Sequence, residues 1–430
     1  MTTDRYTLLE LNRLESWQEA TTSARCLSFR RMGSIAFGTL QNAESKLQFA
    51  IKRDVFGDSY KELCASIIRG QFLQVTGTRW VTGTGELTLL ATDIKILQAN
   101  CSGLPDKQNG IQDEELIYRK RYMSTSTDLE AARVFLTNAK IISFFRRYLE
   151  DENYIEFQTP ILDIQASGAM ARPFITHSNE LDKDLYLRIA TETSLKKLII
   201  AGYERVFDIG QVFRNDGVSR SHSPEFLSLE YYEAFSSYVE SKAFFLKMLH
   251  HLLNRIGFPD QITVYDGVEL NWNDIRTVSY HSLFELHNLP SPDVLSAHDA
   301  DELFKKTIRP TLIQPIVVID YPSHMSPMAK RRDDNPAICE QWQLITCGWE
   351  IVKAYSELSD ASLQRKILEE QMAQREGGDA EAMMIDEPFL EAMEYGLPPT
   401  AGVGIGLSRL VAILTDKRNI RDVIFFPMMG

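Results

Sequence analysis

The sequence predicts an α+β protein in two parts, a small β-rich N-terminal domain and a larger domain built on an antiparallel sheet. Three observations carry that reading. Residues 24–99 hold several short strand-like runs divided by glycine turns. One long amphipathic helix follows over Leu129–Glu152. Beyond it, strands and helices mix without a regular βαβ rhythm, which favours antiparallel pairing over a doubly wound parallel sheet.

In the first domain, Lys46–Lys52 alternates, with Leu47, Phe49 and Ile51 on one face and Gln48 on the other. Ser34–Leu40, Phe72–Thr78 and Leu87–Leu97 are further strand-like runs, punctuated by turns such as Gly83-Thr-Gly85. Between them Asp58–Arg69 has helical spacing, with Leu63 and Ile67 four apart and Asp58 or Ser59 as N-cap. Short strands interrupted by one helix suit a five-stranded barrel of the oligonucleotide-binding (OB) type; a sandwich of similar size fits the pattern too. Residues 1–105 are assigned to this domain, the polar, turn-rich residues 106–125 to a linker, and residues 126–430 to the larger domain. Its first helix carries Val134, Ile141, Phe145 and Leu149 on one stripe, with Lys140, Arg146 and Arg147 outside it. Residues 359–394, rich in Glu, Gln, Lys and Met, read as surface helices with a solvated acidic face.

Composition narrows the function. A chain of 430 residues with 44% apolar content is neither disordered nor a disulfide-stapled miniprotein. The 46 basic against 59 acidic residues leave a net charge of −13, which excludes indiscriminate attraction to polyanions. A nucleic acid would have to be held by local features such as the Arg119–Arg121 cluster. Cys26, Cys64, Cys101, Cys339 and Cys347 form no CxxC pair and read as reduced thiols. With no charged-then-apolar leader and no apolar run of membrane length, the expectation is a cytoplasmic protein with no membrane partner.

Two strand-like segments place polar groups on one face. Asp208, Gly210, Val212 and Arg214 alternate against Phe207, Ile209 and Phe213; Phe226, Ser228, Glu230 and Tyr232 alternate against Leu227, Leu229 and Tyr231. Paired, they make a floor for an anionic ligand, since the arginine fork grips phosphate or carboxylate in two places. An ordinary half-exposed sheet with surface ion pairs fits the same pattern. Gly402-Val-Gly404-Ile-Gly406, before an amphipathic stretch, reads either as a phosphate-cradling helix start or as close packing of a helix on a sheet. In Glu350–Glu357, Lys353, Tyr355 and Glu357 share a face, a carboxylate beside an aromatic wall that suits an ammonium group. Glu350 falls on the other face unless a bulge shifts the register.

These residues resemble a known family. Phe213-Arg-Asn-Asp-Gly, His222-Ser-Pro-Glu-Phe and Glu230-Tyr-Tyr are similar to motif 2 of the class II aminoacyl-tRNA synthetases. Gly402–Arg409 with Asn419–Pro427 resembles motif 3, and Arg133 through Thr159-Pro160 resembles motif 1, which builds that family's dimer interface. Within the class (subclass IIb), Ala171–His177, Asp184–Ala190, Ser326–Lys330, Tyr355–Leu358 and Glu394–Thr400 resemble the lysyl-tRNA synthetases. The resemblance runs from about residue 24 to the end. It implies a class II catalytic domain behind an OB-fold anticodon-binding barrel, a homodimer, and use of ATP and Mg²⁺ to charge tRNA-Lys.

By the same resemblance, Arg214 bridges the α-phosphate and the amino-acid carboxylate, and Asp216 and His222 line the ATP site. Phe226 stacks on adenine, with Arg409 over its other side. Arg214 and Arg409 are the catalytic pair. Glu192, Glu230 and Tyr232 hold the amino acid, Lys353 and Tyr355 line its site, and Glu357 pairs with the ε-ammonium. Arg30, Phe37, Gln48 and Glu86 occupy positions that read the anticodon.

Some positions depart from the family. Gln343 stands where a glutamate metal ligand is expected, beside the retained ligand Glu350, and an amide is a poorer partner for Mg²⁺. Trp349, Lys353, Tyr355, Ser408 and Thr193-Ser194 also differ. This clustering points to a divergent paralogue that handles lysine or a close analogue. The alternatives are an adenylate-forming ligase with a non-tRNA acceptor and a catalytically impaired tRNA-binding regulator.

Overall fold

The computed structural model describes residues 5–15, 19–98, 104, 111 and 113–429. The chain divides into two compact units, residues 1–136 with 425–430 and residues 137–424. The first contains α1 (Leu8–Arg13), β1 (Ala20–Met32), β2 (Ile35–Gln41), β3 (Lys46–Lys52), α2 (Arg53–Phe56), α3 (Tyr60–Ser66), β4 (Phe72–Val81) and β5 (Leu87–Ile96). Its strands close into a barrel, β1-β2-β3-β5-β4, and not a sandwich. The alternation in β3 sends Leu47, Phe49 and Ile51 into a core with Leu40, Leu73, Val75 and Leu89, where α3 buries Tyr60 and Cys64. Strand β1 begins ahead of the β-rich region read from the sequence. A bulge between Cys26 and Ser28 breaks its alternation, so the period-two signal lapses halfway along it.

Part of the segment read as linker is helical. Asp113 accepts hydrogen bonds from the Glu115 and Leu116 amides to start α4 (Glu114–Arg119), and α5 (Arg121–Thr127) follows. The run Ser124–Thr127 looks like a loop in sequence. Its hydroxyls donate back to carbonyls three or four residues earlier, which lets these poor helix formers stay in a helix. The expected long helix is α6 (Leu129–Asp151), and its stripe residues Ile141, Phe145 and Leu149 are fully buried. Of the five cysteines, Cys101 lies outside the described residues and the other four are free thiols.

The second unit continues with β6 (Ile155–Glu156), β7 (Leu162–Asp163), β8 (Ile175–Ser178), β9 (Lys183–Leu187), α7 (Glu192–Ile200), β10 (Arg205–Phe213), β11 (Glu225–Ala234) and α8 (Tyr238–Ile256). Then come β12 (Ile262–Tyr265), β13 (Val268–Asn271), β14 (Arg276–Ser279), α9 (Tyr280–Leu286), α10 (Ala297–Leu303) and β15 (Ile316–Ile319). The chain ends with β16 (Gln341–Thr346), β17 (Trp349–Ser356), α11 (Ala361–Glu376), α12 (Glu387–Glu394), β18 (Thr400–Gly406) and α13 (Leu407–Leu414). Eight strands form one sheet, β14-β15-β16-β17-β18-β11-β10-β6. It is antiparallel as expected, except for the parallel outermost pairs β14·β15 and β10·β6.

Both faces of this sheet are covered, unlike the half-exposed sheet that the strand patterns also allowed. On the back, α8 packs Phe245 against Trp342 with centroids 5.6 Å apart, and the Trp342 indole donates to Ser241 Oγ at 3.1 Å. Tyr231 points the same way, edge-on to Tyr154 and Phe244. On the front, α7 and α12 bury Leu195, Ile199, Phe389, Leu390 and Met393 over Val206 and Tyr232. Helix α12 is therefore half core, not only the solvated surface helix its acidic neighbourhood suggested.

Asp208, read as part of the ligand floor, is structural. Its carboxylate accepts from Arg188 Nη1 at 3.0 Å and from Thr159 Oγ1 at 2.6 Å, and the same Arg188 donates to Gln211 O at 2.8 Å. The pair is buried, with side chains 7% and 5% exposed, so neither partner can leave without stranding a charge. Arg188 crosses directly over Gly210, where a Cβ would run into the guanidinium. Gly210→Ala is expected to destabilise the protein by about 1–3 kcal/mol through overpacking, measured by urea unfolding. A stability equal to wild type would show that Arg188 is free to move aside.

Candidate active site

The register of the central strands builds the site's floor. Opposed residues of antiparallel neighbours point to the same side. One row therefore runs Asp208, Glu230, Gly404, Lys353, Gln343 across β10, β11, β18, β17 and β16. The adjacent row runs Val206, Tyr232, Gly402, Tyr355, Gln341. Gly402, Gly404 and Gly406 belong to the strand β18 itself, so the glycine run is not a phosphate-cradling loop. Glycine keeps the floor low. A Cβ on Gly402 would strike the Glu357 carboxylate and the Tyr232 ring, while one on Gly404 would meet nothing closer than 3.7 Å.

A buried charge cluster lies at one end of this floor. Helix α7 presents Glu192 in its first turn and Lys196 one turn later, on the same face. Lys196 Nζ donates to Glu192 Oε1 at 2.6 Å and forms an ion pair with Glu357 Oε2. The Tyr355 hydroxyl donates to Glu192 Oε2 at 2.7 Å. Glu230 is buried beside them and accepts the Thr191 amide at 3.3 Å. Burial, reinforced by the Glu192 charge, pushes the Glu230 carboxyl up to about 7. Burial also drives Glu357 upward, with Lys196 opposing it. Desolvation works against the Lys196 charge, but Glu192 and Glu357 outweigh it and hold the ammonium above its ordinary value. Glu357 Oε1, on the Gly402 side, is buried with no hydrogen-bond partner.

Cations line the other end. Arg214 follows β10, donates to Ile189 O at 3.3 Å and lies 5.3 Å from the centre of the Phe226 ring. Arg409, in the first turn of α13, donates to Ser221 O at 3.3 Å and Glu350 O at 3.1 Å. His222 sits between Ser219 Oγ at 2.9 Å and Ser221 Oγ at 3.0 Å. Partial desolvation, then the Arg409, Arg309 and Lys305 charges, push its imidazole down to about 4. Asp216 lies on the exposed loop after β10.

The conditional reading of Glu350 is resolved by a bulge. Leu344 opposes Val352 but Ile345 opposes Glu350, so Ile351 is the extra residue and Glu350 turns to the side of Lys353 and Gln343. Gln343 Oε1 accepts the buried Tyr321 hydroxyl at 2.7 Å. Among the described residues no group of three His, Cys, Asp or Glu gathers around a potential metal position. The donor set is one carboxylate, Glu350, and one engaged amide oxygen. That fits a Mg²⁺ carried mainly by the oxygens of a bound triphosphate, not an all-protein cage.

The sequence reading thus finds Glu192, Glu230, Tyr232, Tyr355 and Glu357 together, and Arg214, Phe226, Arg409, His222 and Glu350 in the cationic half. It missed Lys196. The signal was the Glu192–Lys196 spacing, masked because Lys196-Lys197 looks like a solvated pair. Arg309 and Lys305, within electrostatic reach of His222, lay outside every motif.

In the barrel, Arg30 stands directly across from Phe37 in the β1–β2 register. Phe37 stacks on Trp80 with centroids 6.2 Å apart and planes 17° apart, and Lys52 lies over the Trp80 ring. Gln48 Oε1 accepts from Thr88 Oγ1 at 2.8 Å, and Glu86 is exposed near the β4–β5 turn.

A family model described as class II tRNA synthetases (D, K and N) matches residues 113–430. The chain belongs to the class II tRNA synthetases. It is 37% identical over 434 residues to the lysine–tRNA ligase of Bacillus subtilis strain 168, covering 96% of this chain and 87% of that protein. Its identity to the lysine–tRNA ligase of Bacillus thuringiensis strain Al Hakam is 36% over 430 residues, covering 95% and 86%. Within its class, then, the chain is of the lysyl-tRNA synthetase family.

Carboxyl-labelled NMR tests the cluster. Glu230 is expected to titrate near 7, and Glu192→Gln to lower that value without restoring the ordinary 4.5, because burial persists. A wild-type titration near the ordinary value would overturn the assignment.

Proposed function

We propose that the chain activates lysine with ATP to lysyl-adenylate and transfers the lysyl group to tRNA-Lys. The observation that carries the lysine assignment is Glu357 Oε1, a buried carboxylate oxygen without a hydrogen-bond donor at the edge of the glycine-lined floor. An ammonium group supplies the missing donor and charge. An uncharged side chain of the same length would leave Oε1 without a donor, so the pocket selects for an ammonium.

In the first step the amino-acid carboxylate attacks the α-phosphate, the bond to pyrophosphate breaks, and the mixed anhydride forms. Both reactants are anions, so the chain's contribution is positioning and charge neutralisation. Arg214 holds the carboxylate against the α-phosphate while its guanidinium plane, lying over Phe226, borders the adenine position. Arg409, His222 and Asp216 border the phosphates. Arg309 and Lys305 add positive potential there, as their effect on His222 indicates. Glu350 would hold Mg²⁺ arriving with ATP, which supplies further neutralisation of the triphosphate. Glu192, Glu230 and Tyr232 face the α-ammonium, with Lys353 and Tyr355 along the side-chain path. In the second step a hydroxyl of the tRNA's terminal ribose attacks the anhydride carbonyl and AMP departs.

The barrel reads the anticodon through Arg30, Phe37, Gln48 and Glu86, with Phe37, backed by Trp80, as the stacking surface. A second copy of the chain covers motif 1, which ends near Ile155, 48% exposed, and the segment after it, where Leu162, Ile164 and Ile175 are 49%, 57% and 62% exposed.

Lysine-dependent exchange of pyrophosphate into ATP tests the activation step. Absence of exchange at saturating Mg²⁺ would refute the reading. Gly402→Ala, which pushes a methyl group into Glu357 and Tyr232, is expected to raise the KM for lysine at least about tenfold with the KM for ATP little changed. Gln48→Ala is expected to weaken tRNA charging and leave exchange intact. Equal losses in both assays would remove Gln48 from the anticodon site.

A further inference from the structure

The cation of the acidic pocket is supplied by the protein itself. Lys196 has a fully buried side chain, donates to Glu192 and pairs with Glu357. Its ammonium lies 5.8 Å from the Tyr355 ring centre and 5.7 Å from that of Phe389. Around it α7 supplies Glu192, β11 supplies Glu230 and Tyr232, β17 and the residue after it supply Tyr355 and Glu357, and α12 supplies the apolar Phe389. Arg214 acts on this group through Glu230.

The charges sum in an informative way. With all three carboxylates ionised, Glu192, Glu230 and Glu357 against Lys196 leave a net charge of −2, which matches the two ammonium groups of free lysine once its carboxylate has gone to Arg214. Without Lys196 the empty pocket would hold three crowded carboxylates, and like charges in a dry site take up protons. We propose that Lys196 is a positioning residue that acts as a resident counter-ion: it keeps Glu192 and Glu357 ionised in the empty pocket, so that the substrate ammonium binds without displacing a proton. The proposal rests on the lysine-activating reading above. It assigns Lys196 no contact with the reacting atoms.

The test is the pH dependence of the KM for lysine in pyrophosphate exchange by the full-length enzyme, between pH 7.5 and 8.5 and thus above the Glu230 titration. Wild type is expected to vary by no more than about twofold, because no proton is coupled to binding. Lys196→Met is expected to have a KM that falls about tenfold over that pH unit, the signature of one displaced proton. Lys196→Arg is expected to restore the flat profile even if its KM is higher throughout. A Lys196→Met profile parallel to that of wild type would show a merely structural lysine and overturn the proposal. A calorimetric measurement needs no variant: lysine binding to wild type at pH 8, in two buffers of different ionisation enthalpy, is expected to release no proton. Release of a full proton would overturn the proposal while leaving the functional reading standing. Absence of any lysine-dependent exchange in wild type would overturn both.

Discussion

Glu192, Glu230, Glu357 and Lys196 share a buried volume beneath α7, and the rest of the catalytic unit is arranged around the cost of keeping them there. A buried carboxylate left unpaired would cost several kcal/mol or take up a proton. Each of the four is therefore met by a partner on a different element. Lys196 of α7 meets Glu357 beyond β17, Tyr355 of β17 meets Glu192, and the Thr191 amide in the turn into α7 meets Glu230. Because these partners converge from separate segments, the strands must keep their mutual register. A slip of one residue would turn Glu230 and Tyr355 to the opposite face.

That register also explains the division of labour on the sheet. Its back is an aromatic core, Trp342 and Tyr231 against α8, which tolerates no charge. Its front alternates polar side chains with glycines, so ligands can lie close to the backbone of β18. The Arg188–Asp208 pair closes the side nearest β10 and holds Thr159, joining the chain after β6 to the central strands. It takes up Asp208, which sequence patterning had placed on the ligand floor.

Much of this was legible in advance. Leu47, Phe49 and Ile51 announced their barrel face by period two, and Ile141, Phe145 and Leu149 announced α6 by helical spacing. Arg214, Glu230, Glu357 and Arg409 were legible through motifs whose spacing matches a strand-loop-strand unit and a strand-helix junction. The elements that escaped were those where local pattern and final conformation disagree. The serine- and threonine-rich α5 is held by hydroxyl-to-carbonyl bonds, and β1 changes phase at its bulge. Lys196 escaped for another reason: its burial follows from where Glu357 arrives, more than 150 residues later in the chain.

The sequence by itself determined the α+β class, the barrel's inward face, and the placing of an arginine and of a carboxylate beside an aromatic wall on strand faces suited to an anion and an ammonium group. Those properties depend on periodicity and on side-chain chemistry, both of which are local. Only the tertiary structure decided that Asp208 belongs to Arg188, that a bulge at Ile351 brings Glu350 to the working face, and that Lys196 lies buried between Glu192 and Glu357. Each of these depends on which distant segment occupies the neighbouring position, and at a buried site that neighbour decides whether a charged side chain binds a ligand or holds the protein together.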